Sequence, residues 1–191
     1  MKRRYLLISI AVLAGLIALS AFVPGPPTTK KFVASLNGRS EVPARETPAR
    51  GSATFAWNVA AEGFDFTLTV MDINNVTASH IHCAAAGVNG PVGVTLYVGA
   101  AGVNGPVGVT LYMGTAGSGP ISGTIAQGTL TAPDPGNACG WTSMLAVVGA
   151  IQSGNAYVNV HTNDGVAPTN TGPGDFPGGE IRGQVRFLGA H

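Results

Sequence analysis

Polar and apolar residues alternate with a period of two through much of this chain, the pattern of half-buried β-strands. The clearest runs cover residues 63–70, where Phe64, Phe66, Leu68 and Val70 interleave with Asp65, Thr67 and Thr69, and residues 157–162. Further strands are predicted over residues 31–36, 51–59, 78–83, 92–98, 123–130 and 180–187, separated by turns rich in Gly and Pro. Helical spacing occurs once outside the leader, at Met144, Val147, Val148 and Ile151, and predicts a short helix over residues 142–152. Many short strands and one short helix predict an all-β fold, an antiparallel Greek-key-like β-sandwich.

Three alternating segments carry most of the chemistry. In Ser79-His80-Ile81-His82 the apolar phase belongs to Ile81, so His80 and His82 face away from the core. In residues 157–162, Val158 and Val160 turn inward and leave Tyr157, Asn159 and His161 on the other face. In residues 179–187, Ile181, Val185 and Phe187 leave Glu180, Arg182 and Gln184. If these strands are neighbours, His80, His82, Tyr157, Asn159, His161, Glu180 and Arg182 form one polar patch, the candidate binding site.

The chain has 191 residues and a net charge of +1, with 28 Gly and 13 Pro. This length holds one domain with a core of its own. The near-zero charge without a basic stripe argues against a nucleic-acid partner. The chain opens with Lys2-Arg3-Arg4 and an apolar run over residues 5–23, with small residues at Ala18 and Ser20 suited to signal-peptidase cleavage. Residues 1–23 are therefore expected to form a leader helix acting as signal peptide, or an uncleaved membrane anchor, since about 19 apolar residues suffice to span a bilayer. Residues 24–30 form a linker and 31–188 the β-domain. Export places Cys83 and Cys139 in an oxidising compartment, where two cysteines pair. Cys83 shares the phase of Ile81 rather than that of the histidines, which favours a disulfide over metal ligation.

Residues 85–99 read AAGVNGPVGVTLYVG, and residues 100–114 repeat them with Val98 replaced by Met113. Each copy carries an Asn-Gly turn signal, Asn89-Gly90 and Asn104-Gly105, before an apolar strand. The unit is too short for a solenoid and reads as a tandem duplication that adds a hairpin. Either copy could fill the same strand slot, and the added edge offers a route to self-association.

Glu41-Val42-Pro43, His80-Ile81-His82, Gly87-Val88-Asn89-Gly90-Pro91, residues 157–162 and residues 178–184 occur in an order and spacing that resembles the CHRD domain, a module named for chordin and found in exported bacterial proteins. The resemblance runs from Phe32 to Phe187, with the duplication as its one departure. It implies an extracellular β-domain and brings no catalytic residues with it.

Two uses of the patch compete. His80, His82 and His161 could bind zinc or copper with an open coordination position, supported by Asn159, Glu180 and Thr side chains. Alternatively, the same residues form a hydrogen-bonded seam in which Glu180 and Arg182 pair and orient the histidines. A dismutase-like copper site would need a further histidine, which could only be His191. Asn163, Asp164 and Asp175 lack the spacing of a calcium loop and read as solvated turns. No Gly-x-Ser-x-Gly elbow is present, so the reading is a non-enzymatic binding or structural module at the envelope or outside the cell, its protein or small ligand unknown. The alternative is a copper or zinc carrier or small redox enzyme.

Overall fold

The computed structural model describes residues 30–98 and 115–189. The strands are β1 (Lys31–Asn37), β2 (Arg50–Asn58), β3 (Gly63–Asn74), β4 (Val76–His82), β5 (Val92–Val98), β6 (Pro120–Leu130), β7 (Tyr157–Thr162), β8 (Ile181–Gln184) and β9 (Arg186–Leu188), with one helix, α1 (Met144–Gln152). All pairings are antiparallel and run in the order β5-β4-β7-β8-β1-β2-β3-β6, with β9 on β1.

The expected all-β class is therefore found, but in one nine-stranded sheet rather than two stacked ones. The sheet curls into a nearly closed barrel, bringing its edge strands β5 and β6 close together. Register shifts at Leu68/Thr69 and Val70/Ile73 in the β3–β6 pair, with Asp72 at φ 53°, supply the local bend. Such bulges sharpen twist and let one sheet wrap its own core. The segment after β6 then staples the two edges together. Asp134 accepts from the Thr95 amide at 3.0 Å and from its hydroxyl, and its own amide donates to the Gly93 carbonyl at 2.9 Å. Alternation alone does not distinguish a sandwich from a curled sheet, because both bury one face of each strand. The expected leader helix and the second repeat copy lie outside the described residues.

The interior is aromatic at one end. Phe32, Phe55 and Trp57 each set a ring edge against Phe64, with centroids 5.4, 5.8 and 5.3 Å away. Edge-to-face pairs of this kind stabilise by roughly 0.5–1.5 kcal/mol each beyond area burial. Helix α1 begins two residues later than expected, because Ser143 caps it by accepting from the Ala146 amide. Its Met144, Val147, Val148 and Ile151 are buried, as their spacing predicts.

Strands β4, β7 and β8 sit side by side, so the three chemistry-bearing segments are neighbours. The expected strand over residues 180–187 is interrupted at Val185, whose amide bonds to Ala156. The first part, β8, thus bridges β7 and β1, while the second, β9, pairs with β1 alone.

Candidate functional site

His80 and His82 stand two apart on β4, while Asn159 lies opposite His80 and Tyr157 opposite His82. His161 is the diagonal neighbour of His80, within reach of a ring-sized side chain. The imidazoles close into a triangle with centroid separations of 4.9, 5.5 and 5.8 Å. One nitrogen from each lies within 4.8 Å of the others, the only such grouping of His, Cys or acidic residues among the described residues.

Two of the three rings are oriented by the backbone. His82 Nδ1 lies 2.8 Å from the Gly90 carbonyl, and His161 Nδ1 lies 2.9 Å from the Pro177 carbonyl. A carbonyl can only accept, so both rings carry their proton at Nδ1 and leave Nε2 as a lone pair. His80 Nδ1 then donates to His161 Nε2 at 3.0 Å. His82 Nε2 is buried and has no partner. Burial lowers the pKa of all three, chiefly by penalising the charged form. His80 is pushed down to about 2, helped by His161 and His82. His82 is pushed down to about 4 even though its Gly90 bond pulls the other way. His161 is also lowered, with its Pro177 bond opposing. The cluster is neutral at pH 7, the state that coordinates a metal.

The rest of the predicted patch comes together but is buried beneath three loops. Arg182 is 1% exposed. Its guanidinium lies 3.4 Å from the Tyr157 ring centroid and donates to Ala85 O, Val88 O and Asn89 Oδ1 at 3.2, 2.8 and 3.2 Å. Asn89 in turn donates to Val42 O at 2.7 Å, and Gly90 exchanges hydrogen bonds with the Tyr157 hydroxyl. The Tyr157 ring stacks on His82 at 4.8 Å. Arg182 thus fixes the 84–91 loop, and that loop supplies the carbonyl that orients His82.

Glu180 serves a different loop. It accepts from Thr47 Oγ1, Thr162 Oγ1 and the Gly174 amide at 2.5, 2.6 and 2.8 Å. The expected Glu180–Arg182 pair does not form, because each side chain is taken up by its own covering loop. Gly179 lies directly over Asn159 at φ 126°, where a Cβ would strike the amide. The loop reaches His161 through Pro177 only because this residue is glycine. Asp164 and Asn163 accept from amides two residues on, and Asp175 Oδ2 from Thr171, so the three do not converge.

Glu41 is a site residue that alternation cannot reveal, since it lies in a loop. It is 6% exposed and accepts from Asn159 Nδ2 at 3.3 Å, while its Oε1 is unpartnered. Burial raises its pKa to about 7, against the pull of Arg182 and Arg45. Its one sequence signal is the Glu41-Val42-Pro43 motif. The Gly90 and Pro177 carbonyls carry no side-chain signal at all. Cys83 and Cys139 form the expected disulfide, immediately after His82.

A curled antiparallel sheet with a polar cluster roofed by loops and tied by a disulfide defines a β-module suited to an oxidising compartment. The family model for the CHRD domain matches residues 32–185. The chain belongs to the CHRD domain family. No curated protein and no solved structure matches it.

Proposed function

We propose that this chain is an exported binding module of the envelope or cell exterior whose ligand is one transition-metal ion, copper or zinc, held by His80, His82 and His161. The observation that carries this reading is the buried, unpartnered Nε2 of His82 beside two further imidazoles, with its Nδ1 committed to Gly90 O. A buried polar atom without a partner costs about 1–3 kcal/mol, and coordination would remove that cost. A histidine ligand that donates its other nitrogen to a backbone carbonyl is the usual metal-site arrangement. Imidazole suits both metals, and neither cysteine is free to add a soft ligand. The disulfide and the apolar leader support export. No reaction is assigned to the site.

A second reading follows from the His80–His161 hydrogen bond, which satisfies both nitrogens without a metal. On that reading the cluster is a seam, and the module serves by contact with another envelope component. The decisive experiment measures metal content of untagged protein purified without chelator, with copper and zinc titrations, beside His80→Ala/His82→Ala/His161→Ala. About one equivalent that is lost in the variant supports the metal site. No uptake of either metal by well-folded protein overturns it and leaves the seam.

A further inference from the structure

The end of the sheet where β1 begins differs from the rest of the surface. A groove of about 650 Å³ opens there, with Lys31, Trp57, Val59, Leu145 and Val148 in its lining. Val59 and Leu145 are 70% and 67% exposed. Strand β9 borders the groove from both faces, since Phe187 shares the face of Phe32 and Leu188 that of Lys31, both of which line it, and Phe187 and Leu188 are each 54% exposed. These account for four of the seven large exposed hydrophobics among the described residues. A concentration of this kind marks an interaction surface.

Two observations identify the occupant. The apolar side chains are flanked by Lys30, Lys31 and Arg186, with Asp65 on the groove wall and Glu62 on the adjoining rim. Bonds from the Asn58 amide and the Thr129 hydroxyl hold the Asp65 carboxylate in place and ionised, so the cations outnumber the carboxylates here by one. Apolar residues bordered by an excess of long basic side chains suit an anionic lipid surface, where the rings and chains enter the interface and the cationic groups stay at the headgroups. A second copy would instead bring two sets of basic residues together. The chain also enters the domain at this place. Residues 24–29 separate the apolar run 5–23 from Lys30, and six residues reach no more than about 20 Å.

We propose that this end of the barrel is a membrane-contact surface, resting on an anionic bilayer while residues 5–23 are held in it. The histidine cluster then points away from the membrane. Arg182 pairs with Asn37, at the far end of β1 from Lys31, six residues and about 20 Å along the strand.

Trp57 makes the surface directly testable, because the other tryptophan, Trp141, is buried in the core beside the disulfide. The full chain is synthesised into vesicles of phosphatidylglycerol and phosphatidylcholine, with and without bromine near the acyl carbonyls. Bromine is expected to quench the emission that Trp57→Phe removes. The quenching is expected to be lost in Leu145→Glu/Leu188→Glu and to weaken when phosphatidylcholine replaces the anionic lipid. Both changes lie on exposed positions, so circular dichroism of the variant should match the parent. Equal Trp57 emission in brominated and plain vesicles overturns the proposal. A Trp57 shift that depends on residues 1–23 but not on bromine also overturns it and assigns the groove to the chain's own leader. One that depends on protein concentration assigns it to a second copy.

Discussion

The two flanks of the sheet use the same alternation for opposite ends. In β3, Phe64, Phe66, Leu68 and Val70 fill the core, while Asp65 faces solvent and bonds to Asn58 and Thr129 across neighbouring strands. In β4, β7 and β8 the polar members are buried as well. Asn159, Arg182 and His82 are nearly inaccessible beneath loops 41–47, 84–91 and 163–179. The first flank is held by area and tolerates polar change. The second is held by hydrogen bonds that must all be made together, since an unpaired buried polar group is costly.

Removing Arg182 should break the contrast most severely. Arg182→Met leaves Ala85 O, Val88 O and Asn89 without their donor and leaves Glu41 buried without the guanidinium that favours its charge. Stranding one member of a buried charged network costs about 3–5 kcal/mol. Urea denaturation should show that loss, whereas Asp65→Asn on the open flank should leave the midpoint almost unmoved. Equal shifts from the two substitutions would mean that the loops add no stability.

The histidines act through pH, with an effect that is absent at neutrality and grows as the solution is acidified. Their folded pKa values are depressed, so the unfolded chain binds more protons once the pH falls below about 6.5. Their contribution is complete above that value and is lost as pH falls toward about 4, where His82 titrates in the folded state. His82 alone accounts for on the order of 3 kcal/mol, with His80 and His161 acting in the same direction. Melting temperatures of the metal-free protein from pH 8 to 4 should fall through that window, and less steeply in His82→Ala.

Glu41 runs the other way and by less in net effect. Its folded pKa is raised to about 7, so its contribution is complete below 4.5 and is lost as pH rises through 7. Glu41→Gln should remove this opposing slope. Relative to wild type, the variant should gain up to about 3 kcal/mol on passing from pH 4.5 to above 7, the pull of Arg182 being already included in that shift. A constant difference across that range would show that Glu41 is ionised throughout.

Much of this architecture is legible in the chain. The phase of Ile81 between His80 and His82, and of Val158 and Val160 around Asn159, placed the polar residues on one face because a strand permits no other arrangement. The adjacency of β4, β7 and β8 is set by long-range pairing, which alternation does not encode. Closure of the sheet depends on a bulge at Asp72 and a staple at Asp134, both local irregularities. The partners of Glu180 and Arg182 are loop atoms, mostly backbone, so charge and spacing suggested a pair that the fold does not make.

The smallest expected effect tests the duplication. The first copy already supplies β5 and the loop, with Asn89 bonding Arg182 and Val42, and Gly90 bonding His82 and Tyr157. The second copy carries the same residues at Asn104 and Gly105. Deleting residues 100–114 should therefore leave the melting midpoint and the metal stoichiometry unchanged. The informative variant is Asn89→Ala in both backgrounds. Because a shift of 15 residues restores an identical Gly-Val-Asn-Gly-Pro segment, the duplicated chain can replace the damaged copy by sliding the second into its slot. Asn89→Ala should then cost about 1 kcal/mol or more in the deleted chain, the scale of a hydrogen bond to a buried charge, and less in the duplicated one. Equal losses would show that the two copies are not interchangeable, and that the slot accepts only the one next to Cys83.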